Sequence, residues 1–114
     1  MLAGDNPDPI NTSSVRAYDL TNDVGRIEQA MVVARKSNKP LFVGEFGVPG
    51  EPTKPVREIF SSILHSLETN NVPLSALWVF DFDGQSTDWN VTATNNRAWQ
   101  LDEIQRANQR LRGK

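Results

Sequence analysis

The chain has 114 residues, enough for one small domain or a piece of a larger one. At 38% hydrophobic and 23% charged, it has the composition of a chain that packs a core rather than staying disordered. A net charge of −2 without a basic stripe argues against nucleic acid or an anionic membrane surface as partner, and the absence of cysteine excludes disulfides and thiol catalysis.

Residues 1–20 are rich in Asp, Asn, Pro, Ser and Thr, with Pro7 and Pro9 as punctuation, and are expected to be loop. The opening MLAGDNPDP has neither a basic stretch nor an apolar one, so no secretory signal is expected there and the compartment stays open. Asn11 and Asn90 head sequons, which matter only in a glycosylating pathway. No apolar run is long enough to span a bilayer.

Val24, Ile27, Met31 and Ala34 recur at helical spacing, which predicts a helix over 23–38, stopped by Asn38-Lys39-Pro40. Residues 41–46, LFVGEF, read as a strand of the buried, parallel type. Thr53 is the expected N-cap of a helix over 54–70, with Pro55 in its first turn and Val56, Ile59, Phe60, Ile63 and Leu67 as the apolar stripe. Residues 74–82, LSALWVFDF, read as a second strand, and 83–96 as a long polar loop. Asn95 or Asn96 is expected to cap a last helix over 96–112, whose basic tail suits a helix C-terminus.

Strands alternating with helices of this length indicate an α/β fold with a parallel sheet. Two strands leave two open edges, which template further pairing. A closed (β/α)₈ barrel needs roughly 250 residues. The chain is therefore expected to be a partial barrel, or to complete its sheet with further copies or with another chain.

In a parallel barrel, alternate side chains point inward, and catalytic residues gather at the C-terminal ends of the strands. Leu41, Val43 and Glu45 share one parity, so Glu45 is expected at the last inward position of its strand, opening on a cleft. In the second strand Ala76, Trp78 and Phe80 share a parity, with Trp78 expected to face inward. A tryptophan beside a strand-end carboxylate suits carbohydrate: the ring covers the C–H face of a sugar and the N–H reaches a polar partner.

KPLFVGEFG followed by ALWVFDFDG resembles the end of the catalytic barrel of the cellulase-like glycoside hydrolases, family 5 and its clan. The resemblance covers almost everything after residue 20. It implies that the two strands are the seventh and eighth of a TIM barrel, that Glu45 matches the catalytic nucleophile, and that Trp78 matches the tryptophan flooring the sugar site. It further implies a retaining enzyme for a β-linked polysaccharide, which uses a second carboxylate as acid/base. That glutamate, in an Asn-Glu motif after the fourth strand, has no counterpart in this sequence, nor have the supporting His and Tyr of other strands. The chain alone is therefore expected to be catalytically incomplete.

Plainer readings stand beside these. Glu45 could be a solvated strand-end residue, and Trp78 plain core. Gln85 and Trp89 lie in the loop expected to rim the cleft, where they could contact a sugar, while Trp89 could equally pin the loop. Trp99 on the last helix reads as packing, and His65 matches nothing catalytic. Asp81, Asp83 and Asp88 lack the glycine and terminal glutamate of a calcium loop, so no metal is expected. No nucleotide or other cofactor motif is present, and none is expected. A non-catalytic module that binds sugar weakly or self-assembles is the alternative reading.

Overall fold

The computed structural model describes residues 23–85 and 88–113. The expected loop 1–20 and the sequon at Asn11 lie outside the described residues. Three helices and two strands follow in the order α1 (Asp23–Ser37), β1 (Phe42–Phe46), α2 (Lys54–Thr69), β2 (Leu74–Leu77) and α3 (Trp99–Arg112). The strands pair in parallel, so this is an α/β domain. No helix among the described residues is long and apolar enough to cross a membrane.

The joints from helix to strand are built alike. At the end of α1, Asn38 turns left-handed at φ 57°. Its N–H donates to the Arg35 carbonyl at 3.1 Å, and the Lys39 N–H donates to the Ala34 carbonyl at 2.9 Å. At the end of α2, Asn71 does the same at φ 55°, its N–H donating to Glu68 and the Val72 N–H to Leu67. Both are Schellman closures, in which the last orphan carbonyls are satisfied by the chain that leaves the helix. Asparagine tolerates the left-handed conformation better than other non-glycine residues. Each joint continues with a proline and a leucine: Asn38-Lys39-Pro40-Leu41 and Asn71-Val72-Pro73-Leu74. The proline cannot continue a helix and sets the chain extended for the strand.

The start of α2 follows its sequence signals. Thr53 is extended, and its side chain accepts the Val56 N–H at 3.4 Å, with Pro55 in the first turn. The start of α3 does not. Asn95 and Asn96 are expected caps of a helix from 96, yet α3 begins at Trp99 after Ala98, with no side-chain cap. Asn95 is occupied elsewhere: its Oδ1 accepts from the Thr92 and Arg97 N–H groups, and its Nδ2 donates to the Asn90 carbonyl at 2.8 Å.

The register corrects the expected parity of β1. Leu41 and Val43 are buried in the cluster that contains Ile27 and Ala34 of α1 and Phe60, Ile63, Leu64 and Leu67 of α2. They therefore face the helices. The pairing is regular at Phe42 with Leu74 and Val43 with Ser75, then shifts before Phe46 with Leu77. This irregularity brings Phe46 into the same core, three positions after Val43 and so one position out of step with the alternation. Glu45 thus does not share a face with Leu41 and Val43. The second strand is also shorter than the expected 74–82: ladder pairing stops at Leu77, and Asp81 turns left-handed at φ 53°.

Phe60 joins the three layers of the core. It is fully buried, lies 6.0 Å from the Phe46 ring, and meets the Trp99 ring edge-on at 5.2 Å and 78°. Arg57 places its guanidinium 4.6 Å from the Trp99 ring. On the outside, Ser61 donates to Glu103, and Arg110 forks onto Glu68 at 2.9 and 2.8 Å. Both pairs span 42 residues, so α2 and α3 run side by side in the same direction, as alternating βα units require. The Glu68 hydrogen bond holds the Arg110 pKa above its ordinary value, against a smaller effect of burial.

Phe60→Ala removes the ring on which strand and third helix both rest, and is expected to cost about 3–5 kcal/mol of folding stability. Urea unfolding followed by ellipticity measures it; a loss below about 1 kcal/mol would contradict the role given to Phe60.

Candidate functional site

The candidate site lies at the C-terminal ends of β1 and β2, where the chain leaves the sheet in two loops. Phe46 and Leu77 are register partners, and both pack on the helix side. Side chains alternate across a strand. Glu45, next to Phe46, therefore lies off the helix side, and Trp78 directly follows the end of β2 at Leu77. Glu45 is half-buried, and its carboxylate has no hydrogen-bond or ion-pair partner among the described residues. Trp78 is half-buried, and its backbone N–H donates to the Phe46 carbonyl at 2.8 Å, which ties the segment after β2 to the end of β1. The Trp78–Val79 peptide bond is cis.

Gly47, two residues after Glu45, is where these segments close. A β-carbon at this position would stand 2.6 Å from the Trp78 carbonyl oxygen and 3.6 Å from the Trp89 ring. The first distance is prohibitive, because the atom met is backbone and cannot swing away. Only glycine lets the two strand ends approach this closely. The Trp89 ring thus lies near Gly47, and the residue is half-buried.

The loop after β2 returns on itself. Phe80 pairs with Val91, the Asp81 N–H donates to the Val91 carbonyl at 2.8 Å, and the Val91 N–H to the Val79 carbonyl. Val91 is fully buried. Asn90 Oδ1 accepts the Phe82 N–H at 2.9 Å. Gln85 is half-buried, its N–H donating to the Phe82 carbonyl at 3.1 Å. Asp81, Asp83 and Asp88 are exposed. No group of His, Cys, Asp or Glu among the described residues is arranged to hold a metal ion.

Arg97 fastens the two loops together. Its side chain is 1% exposed, and it donates to the Gly50 carbonyl at 2.5 Å and to the Val48 carbonyl. Burial lowers its pKa from the ordinary arginine value, and the charges of Asp88 and Glu51 oppose that shift. An arginine keeps its proton throughout the usable pH range, so the lock is cationic. Around it, the Gly50 N–H donates to the Asp88 carbonyl at 3.0 Å, and Asn96 donates to Glu51 at 3.0 Å. The backbone that follows Glu45 is therefore held at Val48, at Gly50 and at Glu51.

Of the four expected site residues, Glu45 stands at the end of β1, Trp78 directly follows β2, the Trp89 ring lies near Gly47, and Gln85 stands farther along the loop with its backbone N–H committed to the Phe82 carbonyl. Arg97 and Gly47 carry no expected role, and Asn90 figures in the sequence only as the head of a sequon, yet all three set the geometry. Arg97 left one trace in the sequence: a basic residue at the start of a helix opposes the helix dipole, so it needs another reason to be there. Comparison with protein-family models and with curated proteins returns no match to this chain.

Arg97→Met leaves two carbonyls without their donor and is expected to cost about 1–3 kcal/mol for each. Arg97→Lys should recover less than half of the loss, because an ammonium lacks the planar fork. Gly47→Ala should cost about 1–3 kcal/mol or more, since backbone must move to admit the methyl group. Urea midpoints of the three variants against the parent chain decide; full recovery in Arg97→Lys would show that charge alone holds the loops.

Proposed function

We propose that this chain is the C-terminal portion of a cellulase-like, retaining glycoside hydrolase barrel that acts on a β-linked polysaccharide. The observation that carries the reading is that Glu45 stands at the C-terminal end of β1 and Trp78 directly follows the end of β2, around the register pair Phe46 and Leu77. The parallel pair with α2 as its crossover supports it, because that unit is the repeat of such barrels.

In this reading Glu45 attacks the anomeric carbon as the glycosidic C–O bond breaks, giving a covalent glycosyl-enzyme. A second carboxylate, about 5–5.5 Å away and borne on another part of the barrel, gives its proton to the leaving oxygen and then takes one from the attacking water. Trp78 covers the apolar face of the ring being cleaved. Gln85 and Trp89 belong to the rim, Gln85 offering hydrogen bonds and Trp89 an apolar surface. Loss of an acid catalyst costs about 10²–10⁴-fold in rate, so the chain by itself binds sugar without turning it over at a useful rate.

A second reading is favoured by a separate observation. Phe42 and Leu74 are register partners, and they stay 46% and 61% exposed on the sheet face opposite the helices. Paired apolar residues on a sheet with open edges suit a non-catalytic module that assembles with further copies, or with the remaining units of a barrel.

Titration with β-1,4-linked gluco-, manno- and xylo-hexaose, read by tryptophan fluorescence and calorimetry, tests the proposal. The expected result is binding of at least one hexaose, weakened about tenfold or more in Trp78→Ala, with no reducing sugar released. Absence of binding overturns the sugar reading, and a sedimentation pattern showing a defined multimer then supports the assembling module. Turnover that disappears in Glu45→Gln would show a complete catalytic pair within this chain.

A further inference from the structure

Phe82 is an exposed aromatic ring that lies against the Gly84 backbone, in the manner of a binding platform. The ring is 47% exposed. A β-carbon at Gly84 would stand 2.5 Å from Phe82 Cζ and 3.0 and 3.1 Å from its two Cε atoms. A point in the ring plane at that distance beyond Cζ would lie farther from both Cε atoms. The Gly84 backbone therefore sits against one face of the ring, and the exposure belongs to the other face and the rim. Gly84 is the residue type that allows this seat, because any side chain would strike the ring.

The backbone of Phe82 is fixed on both sides. Its N–H donates to Asn90 Oδ1 at 2.9 Å, and its carbonyl accepts the Gln85 N–H at 3.1 Å. The preceding residue, Asp81, is left-handed and anchored to Val91. Single exposed apolar residues are common on protein surfaces, but most lie on a regular element that buries their neighbours. Here the turn fixes the Phe82 backbone at its N–H and its carbonyl, and the ring stays about half exposed. Its sequence neighbours Asp81 and Asp83 are exposed carboxylates, and Phe80, two residues earlier, is 52% exposed.

A ligand for such a surface needs one flat apolar face and a rim of hydroxyl groups. A pyranose with equatorial hydroxyls has both: its C–H face covers the phenyl ring, and its rim hydroxyls donate to carboxylates. We infer that Phe82, seated on Gly84 and flanked by Asp81 and Asp83, is a second sugar platform, taking a ring of a β-linked oligosaccharide beyond the one at Trp78. The inference rests on the proposed sugar-binding role of the strand ends. It adds a distal subsite four residues farther along the chain, and therefore a dependence on oligosaccharide length.

The test uses the full chain, with the disaccharide and the hexasaccharide of whichever β-1,4-linked glucan, mannan or xylan series binds best. Phe82→Ala is expected to weaken the hexasaccharide about 2- to 10-fold and to leave the disaccharide unchanged. Phe82→Trp should retain the affinity for the hexasaccharide, and Gly84→Ala, which lifts the ring from its seat without removing it, should weaken it as Phe82→Ala does. If Trp78→Ala weakens binding while Phe82→Ala leaves the hexasaccharide unaffected, the platform is overturned and the role of Trp78 stands. An equal loss for disaccharide and hexasaccharide in Phe82→Ala also overturns it, because the ring would then act on the whole cleft. If the parent chain binds neither sugar in any series, both the platform and the sugar-binding role fall.

Discussion

The guanidinium of Arg97 is the constraint on which the strand-end geometry depends. A loop that leaves a buried strand carries carbonyls with no ladder partner, and Val48 and Gly50 are two such groups. One planar cation satisfies both from the turn that leads into α3, some fifty residues away in sequence. Two neutral donors could satisfy the same carbonyls, but they would need two side chains placed independently. The fork does it with one, and so couples the position of α3 to the path of the backbone after Glu45. Burying that charge is unfavourable in itself, which is why Asp88 and Glu51 stand within electrostatic reach.

The same end of the molecule is packed closely on one side and left open on the other. Toward the helices, Phe46, Val48 and Phe60 are buried to 4% exposure or less. Away from them, Phe42 and Leu74 form an apolar pair in contact with water. A sheet of the parallel type is normally covered on both faces. Among the described residues this one is covered on one, and Glu45 and Trp78 stand at the ends of its strands. Glu45 is half-buried with no hydrogen-bond or ion-pair partner among the described residues, and Trp78 is half-buried as well.

Much of the fold was readable from local chemistry. The apolar stripe of α2, the Thr53 cap and the Pro55 first turn all follow from short-range rules, and the structure shows each of them. Asn95 was readable as a residue that bonds to backbone, but not as to which backbone: it closes the turn from Thr92 to Arg97 instead of opening the helix. The end of β2 was hidden because LWVF continues the apolar alternation past Leu77, whereas pairing ends where β1 itself ends at Phe46. The parity of β1 was hidden for a related reason. A register irregularity between Val43 and Phe46 is a relation between two strands, and no single-strand pattern reports it. Glu45 was singled out on its position at a strand end, and β1 does end one residue after it. Gly47 left no signal and Arg97 only its odd charge at a helix start, because their roles lie in what they touch across long stretches of chain.

The twin joints Asn38-Lys39-Pro40-Leu41 and Asn71-Val72-Pro73-Leu74 have a further consequence. Each helix completes its hydrogen bonding with its own departing backbone, so the connector demands nothing of the sheet that follows. The two leucines show the freedom this leaves: Leu41 is sealed inside, whereas Leu74 looks out at water, although both come three residues after the asparagine. A connector of this kind is a portable hinge pin, able to deliver a strand in either orientation, with burial left to whichever neighbours the arriving strand meets.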